Sequence, residues 1–210
     1  MNNTEVIKSY FNEIIPDPVC ELNYNKDYEL LIAIMLSAQT TDKRVNIVTN
    51  KLFNKYKSVK KLSLSSYDDI EPLIKELGSY TKKTNGVISI SKKIVDECNC
   101  VVPNDREVLE SFPMVGRKTA SVFLSEWYDV PTIAVDTHVD RVSKRLGLAL
   151  DNDDVLKIET KLKKLFDEKE WNRINHQLVL FGRYFCIAKN PKCDECKLKD
   201  ICKYYNKENS

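Results

Sequence analysis

Apolar positions along this 210-residue chain recur at helical spacing from one end nearly to the other. They fall at Val45, Val48 and Leu52, at Val87, Ile90 and Ile94, and at Ala120, Phe123, Leu124 and Trp127. The pattern returns at Val135, Val139, Val142 and Leu146, then at Val155, Ile158, Leu162, Leu165 and Phe166. Steps of three, four and seven residues lay one apolar stripe along each helix. The run from Leu30 to Leu36 is apolar on every side, which predicts a central helix packed all round. No stretch alternates with a period of two between hairpin turns, so the predicted fold class is all-α, with about ten helices.

Punctuation agrees with the stripes. Gly78 and Gly147 each follow one, where a C-terminal cap glycine belongs. Asn104 with Glu107 three residues on forms an approximate capping box. Pro103, Pro113 and Pro131 fall between stripes, where a missing N–H costs least. No linker or repeat divides the chain, so any domain division must come from packing.

Composition changes this picture little. With 42% hydrophobic and 30% charged residues the chain reads as an ordinary globular protein. Its longest apolar run is far too short to span a bilayer. The polar N-terminus lacks a charged-then-apolar leader, so the expected location is the cytoplasm. A net charge of +2 leaves nucleic-acid binding open, because basic residues can gather in one patch while acids elsewhere cancel the total.

Cysteine changes it more. Four of the seven cysteines lie within the last 25 residues: Cys186, Cys193, Cys196 and Cys202, separated by six, two and five residues. In a chain without an export signal such crowding favours metal ligation over disulfides. Four soft thiolates serve either zinc or an iron–sulfur cluster. Zinc sites usually present two short Cys-x-x-Cys pairs and only Cys193–Cys196 qualifies, whereas a four-iron cube needs its thiolates splayed to separate corners. Spacing alone leaves that choice open. Cys20, Cys98 and Cys100 have no partner at a persuasive spacing.

The second chemical signal is Phe112-Pro113-Met114-Val115-Gly116-Arg117-Lys118-Thr119-Ala120, which links two amphipathic stretches. A tight turn at a helix N-terminus aims unpaired N–H groups outward beside a partial positive charge, and a DNA phosphate suits that position. Lys118, in the first turn of the second helix, could attack an electrophilic sugar carbon and form a Schiff base if part of it is deprotonated. Burial or nearby positive charge would have to lower its pKa from about 10.4. Asp136, within Val135-Asp136-Thr137-His138, reads locally as the N-cap of the stretch through Leu146. A carboxylate held that rigidly could also stabilise positive charge at a sugar C1′.

Taken together these residues closely resemble the endonuclease III family of helix-hairpin-helix DNA glycosylases. The motifs carrying the likeness are Glu29-Leu30-Leu31-Ile32-Ala33, Leu36-Ser37-Ala38-Gln39, the Gly116–Ala120 hairpin, Pro131 to His138, Phe181-Gly182-Arg183-Tyr184 and the cysteine spacing. The resemblance implies a two-domain fold: a six-helix barrel over 22–131, with the hairpin at about 105–128, and an iron–sulfur domain from 1–21 plus 132–210. It implies base-excision repair of oxidised pyrimidines with a lyase activity. Lys118 would be the Schiff-base nucleophile and Asp136 the catalytic aspartate. Gln39 would fill the gap left by the flipped nucleotide. Val115, Gly116, Arg117, Lys189 and Lys192 would contact DNA. Cys186, Cys193, Cys196 and Cys202 would hold one structural [4Fe-4S] cluster. The partner is double-stranded DNA containing damaged pyrimidines or abasic sites; no membrane is involved, and a monomer is expected, on the nucleoid if the source is bacterial.

Two rivals follow from the same features. An adenine or mismatch glycosylase of this superfamily often lacks the lysine, and a non-catalytic DNA-binding module would need Lys118 and Asp136 to be only a phosphate contact and a cap. Two positions depart from the family pattern. Met114 stands where glycine is usual, so the turn either avoids positive φ or is strained by about 1–2 kcal/mol. Ser79 stands where relatives often place a leucine wedge.

Overall fold

The computed structural model describes residues 2–208, and among these all regular structure is helical. In chain order the α-helices are α1 (Asn3–Ile14), α2 (Asp27–Leu36), α3 (Asp42–Lys55), α4 (Val59–Ser63), α5 (Tyr67–Ile74) and α6 (Tyr80–Glu97). They continue with α7 (Arg106–Glu110), α8 (Arg117–Tyr128), α9 (Thr137–Arg145), α10 (Val155–Leu165), α11 (Trp171–Tyr184) and α12 (Lys203–Glu208). The chain divides into two compact units: a central one over Glu21–Tyr128, and a terminal one from Met1–Cys20 with Asp129–Ser210.

The central unit is organised on α2. Leu30, Leu31, Ile32, Ala33 and Leu36 are all fully buried, and α2 packs against α3, α6 and α8. Removing a Leu or Ile side chain from water is worth roughly 1.5–3 kcal/mol, so this one helix anchors the unit. The stripes of α3, α6 and α8 supply the facing surfaces through Val45, Val48, Leu52, Val87, Ile90, Ile94, Ala120, Phe123 and Leu124. Trp127 ends its stripe at the surface, tilted against Tyr24 with ring centres 6.2 Å apart.

In the terminal unit α1, α9, α10 and α11 share a core in which Phe11, Phe181 and Phe185 form a ring stack, with centroids 4.9 and 5.1 Å apart. Helix α9 lies close on α11 because position 182 is glycine. A Cβ there would stand 2.9 Å from the Cβ of His138 and 3.0 Å from a methyl of Val142, nearer than side chains approach. Helix α9 ends as Gly147 predicts. With φ at +74°, Gly147 lets its own N–H reach Lys144 O at 3.2 Å and the Leu148 N–H reach Ser143 O at 2.8 Å, the paired bonds of a Schellman stop.

Two local expectations fail. The cap of α7 is Asp105, whose Oδ1 accepts from the Val108 N–H at 2.9 Å, and not Asn104 one residue earlier. Gly78 does not end α5, whose C-cap is Lys75; the left-handed residue nearby is Ser79, the N-cap of α6.

Candidate active site and cluster loop

Helices α7 and α8 form the expected hairpin. Its turn is closed by the Phe112 N–H donating to Leu109 O at 3.0 Å and the Val115 N–H donating to Phe112 O at 3.1 Å. Met114 takes φ +61°, so the strained alternative is the one realised. Its side chain shows how the strain is tolerated. The Met114 Sδ occupies the notch over Gly86 in α6, 2.8 Å from where a Cβ would stand, with Met35 closing the same notch. A flexible thioether suits an irregular gap of this kind. Val115 packs inward at the turn. Its side chain is buried and its N–H belongs to the turn. Gly116 and Arg117 are exposed, and Lys118 is exposed in the first turn of α8.

Gln39 lies just beyond α2, exposed and with φ +56°. The turn is closed by the Thr40 N–H donating to Ser37 O at 3.0 Å. Sequence reasoning missed the group that holds it. Lys83, in α6, is only 1% exposed, and its Nζ donates to Ala38 O at 2.9 Å and to Thr40 Oγ1 at 3.0 Å. The available signal was its register: four residues before Val87, a lysine stands on an apolar stripe.

In the terminal unit Asp136 caps α9. Its Oδ1 accepts from the His138 and Val139 N–H groups at 2.8 and 2.9 Å, which fixes the carboxylate. Behind it the His138 Nδ1 accepts from Arg141 at 3.2 Å. Burial holds the His138 imidazole below its ordinary value. The Asp136 charge and a backbone hydrogen bond to Gly182 oppose this, while Arg141 and Arg183 add to it.

The same helix grips the cysteine-bearing loop. Arg141 donates to Cys186 O at 3.1 Å and to Gly182 O at 2.6 Å. Arg145 donates to Ile187 O at 2.7 Å and Ala188 O at 3.0 Å, with a longer contact to Cys186 Sγ at 3.4 Å, and stacks on Tyr204 at 4.2 Å. The loop includes Asn190 at φ +53° and carries exposed Lys189 and Lys192. Cys202 is buried in the core, and Cys186 and Cys196 pack against it. The four thiols sense one another. Burial first pushes Cys196 up, a backbone hydrogen bond from Leu198 opposes, and Cys202, Cys186 and Cys193 each add to the rise. Among the described residues no three His, Cys, Asp or Glu side chains are gathered tightly enough for a single ion. Four electrostatically coupled thiols on one braced loop are a soft donor set suited to an iron–sulfur cluster.

Comparison with known proteins agrees with this geometry. Residues 32–168 match the HhH-GPD superfamily base excision DNA repair protein family, and residues 186–202 match the iron–sulfur binding domain of endonuclease III. Endonuclease III of Bacillus subtilis is 42% identical over 91% of this chain and 87% of its own length. That of Haemophilus influenzae is 41% identical over 99% of both. A solved structure of a trapped endonuclease III–DNA covalent intermediate is 39% identical, with a TM-score of 0.94 over the whole of both chains. A thermostable thymine-DNA glycosylase, at 22% identity and a TM-score of 0.86, shares the fold. No helix among the described residues is long and apolar enough to cross a membrane. A family match over most of the chain, and relatives of this identity aligned along nearly all of it, mean that the chain belongs to the endonuclease III family of the HhH-GPD superfamily.

Proposed function

We propose that Lys118 is the covalent nucleophile and Asp136 the catalytic carboxylate of this enzyme. Membership of the endonuclease III family makes the chain a base-excision repair DNA glycosylase for oxidised pyrimidines, with lyase activity at abasic sites and one [4Fe-4S] cluster. The observation that carries the residue assignment is a lysine in the first turn of the hairpin helix α8, in a chain whose second helix N-terminus, α9, is capped by a fixed aspartate.

The chemistry divides between them. Extruding a damaged nucleotide costs a few kcal/mol, least where the base already stacks poorly. Gln39 fills the gap left in the stack. Asp136 stabilises the positive charge that develops at C1′ as the base leaves. The Lys118 amine bonds to C1′, and loss of the base with opening of the sugar gives the imine. The imine acidifies the C2′ proton; its removal expels the 3′ phosphate and cuts the strand. Gly116, Arg117, Lys189 and Lys192 hold the phosphate backbone, a sequence-independent task that suits scanning. Cys186, Cys193, Cys196 and Cys202 ligate the cluster, which supplies structure to the loop bearing Lys189 and Lys192. The central unit is the barrel domain and the terminal unit the cluster domain of a monomer that works in the cytoplasm on the chromosome.

Borohydride reduces an imine to a stable amine, so wild-type protein on thymine-glycol duplex should give a trapped adduct. Lys118→Ala should bind the duplex and give none. Equal trapping by this variant would remove Lys118 from the reaction.

A further inference from the structure

Lys83 has no part in the chemistry above, yet it is among the most completely buried side chains of the chain. Burial pushes its pKa down, and a buried ammonium keeps its proton only where acceptors replace water. The acceptors it has are informative. Ala38 O and Thr40 Oγ1 stand on either side of Gln39, so one amine straddles the residue assigned to the gap in the stack. Gln39 itself holds a left-handed conformation that non-glycine residues rarely adopt, and clamping both neighbours is a direct way to hold it there.

The backbone of the same lysine belongs to the first turn of α6. The Lys83 N–H donates to Ser79 O at 3.1 Å, and Ser79 is the left-handed N-cap of α6, beside the exposed Tyr80. The first turn of α6 therefore joins two strained, exposed turns far apart in sequence.

We propose that Lys83 is a positioning residue that locks the Gln39 turn in its left-handed form and ties it to the Ser79–Tyr80 turn. Residue 39 then presents to the DNA stack in one orientation. The inference rests on the gap-filling reading of Gln39. A buried lysine that merely supports the fold would act independently of residue 39; a lysine that works through it would not.

A double-mutant cycle separates these. Single-turnover excision of thymine glycol would be measured for Gln39→Ala, Lys83→Met and the double variant, with melting temperatures alongside. Gln39→Ala should slow excision on the order of tenfold, Lys83→Met by at least as much, and the double variant should match the slower single within about twofold. Effects that multiply toward about a hundredfold would overturn the role of Lys83 and leave Gln39 intact. A wild-type rate for Lys83→Met would do the same. A wild-type rate for Gln39→Ala would instead remove the gap-filling reading. Should Lys83→Met not fold, Thr40→Val deletes one acceptor at a half-buried position and runs through the same cycle. There, a smaller slowing that vanishes in the Gln39→Ala background supports the clamp, and one that persists refutes it.

Discussion

The Gln39 turn and the loop between Cys186 and Cys193 both hold a left-handed residue, and both are tied down by helix-borne cations donating to the backbone. They differ in redundancy. The cysteine loop is held by two guanidinium groups one turn apart on α9, which reach Gly182 O, Cys186 O, Ile187 O and Ala188 O. It also has Cys202 seated in the core, with Cys186 and Cys196 packed beside it. The Gln39 turn, beyond its own internal hydrogen bonds, is fastened to α6 by one amine, that of Lys83. Arginine offers five donors in a rigid fork and lysine three on a flexible stem, so the choice of cation follows the number of carbonyls to be held. The loop proposed to carry Lys189 and Lys192 to the phosphates is held by two cations, and the turn proposed to enter the DNA stack is held by one.

This contrast can be tested at several strengths. The largest effect belongs to Arg141→Met combined with Arg145→Met. Hydrogen bonds to charged groups contribute about 1.5–3 kcal/mol each when buried; four partly exposed ones, discounted for solvent, should together cost about 3–6 kcal/mol, with loss of bound iron. A double variant that retains full iron content and stability would show that the arginines are incidental. Next is Gly182→Ala. Driving a Cβ into His138 should cost about 1–3 kcal/mol and slow base excision by displacing the start of α9. Unchanged excision would show that the spacing of α9 and α11 does not govern Asp136. Single substitutions sharpen the comparison further. Lys83→Met should speed amide hydrogen exchange at residues 38–40, whereas Arg141→Met should leave exchange over 187–193 close to wild type, since Arg145 still holds Ile187 O and Ala188 O. Equal loosening of both segments would erase the distinction.

The smallest effect is on pH. His138 is held below its ordinary value of 6.5, so the unfolded chain takes up this proton first. The stabilisation from keeping the ring neutral is fully present above about pH 6.5 and declines as pH falls below it. Protonation would also set a cation against Arg141. A His138→Asn variant should lose this part of the acid sensitivity, measured as melting temperature between pH 7 and pH 5; an unchanged profile would argue against it.

Much of this architecture was legible in the chain, for identifiable reasons. The stripes through Val45, Val87, Ala120 and Val139 became buried helix faces because burial must follow the helical period. Gly147 marked a helix end because only a residue tolerating positive φ closes that stop. The cysteines announced a metal by number and spacing. What escaped was set by tertiary packing. Asn104 and Asp105 are both competent caps, and only the path of the chain selects the second. The left-handed position fell on Ser79 and not Gly78, because the start of α6 required it there. Met114 accepted positive φ because Gly86, 28 positions earlier, left room for its side chain. The tasks of Arg141 and Arg145 had no local signature, since their acceptors are carbonyls some 40 residues away.

The assignment of Lys118 is tested most directly on the trapped complex itself. Borohydride-reduced enzyme–DNA adduct would be digested with nuclease and protease, and the peptide bearing the sugar remnant sequenced by mass spectrometry. The remnant should sit on the side-chain nitrogen of Lys118. A remnant on another lysine or on the N-terminal amine would contradict the account.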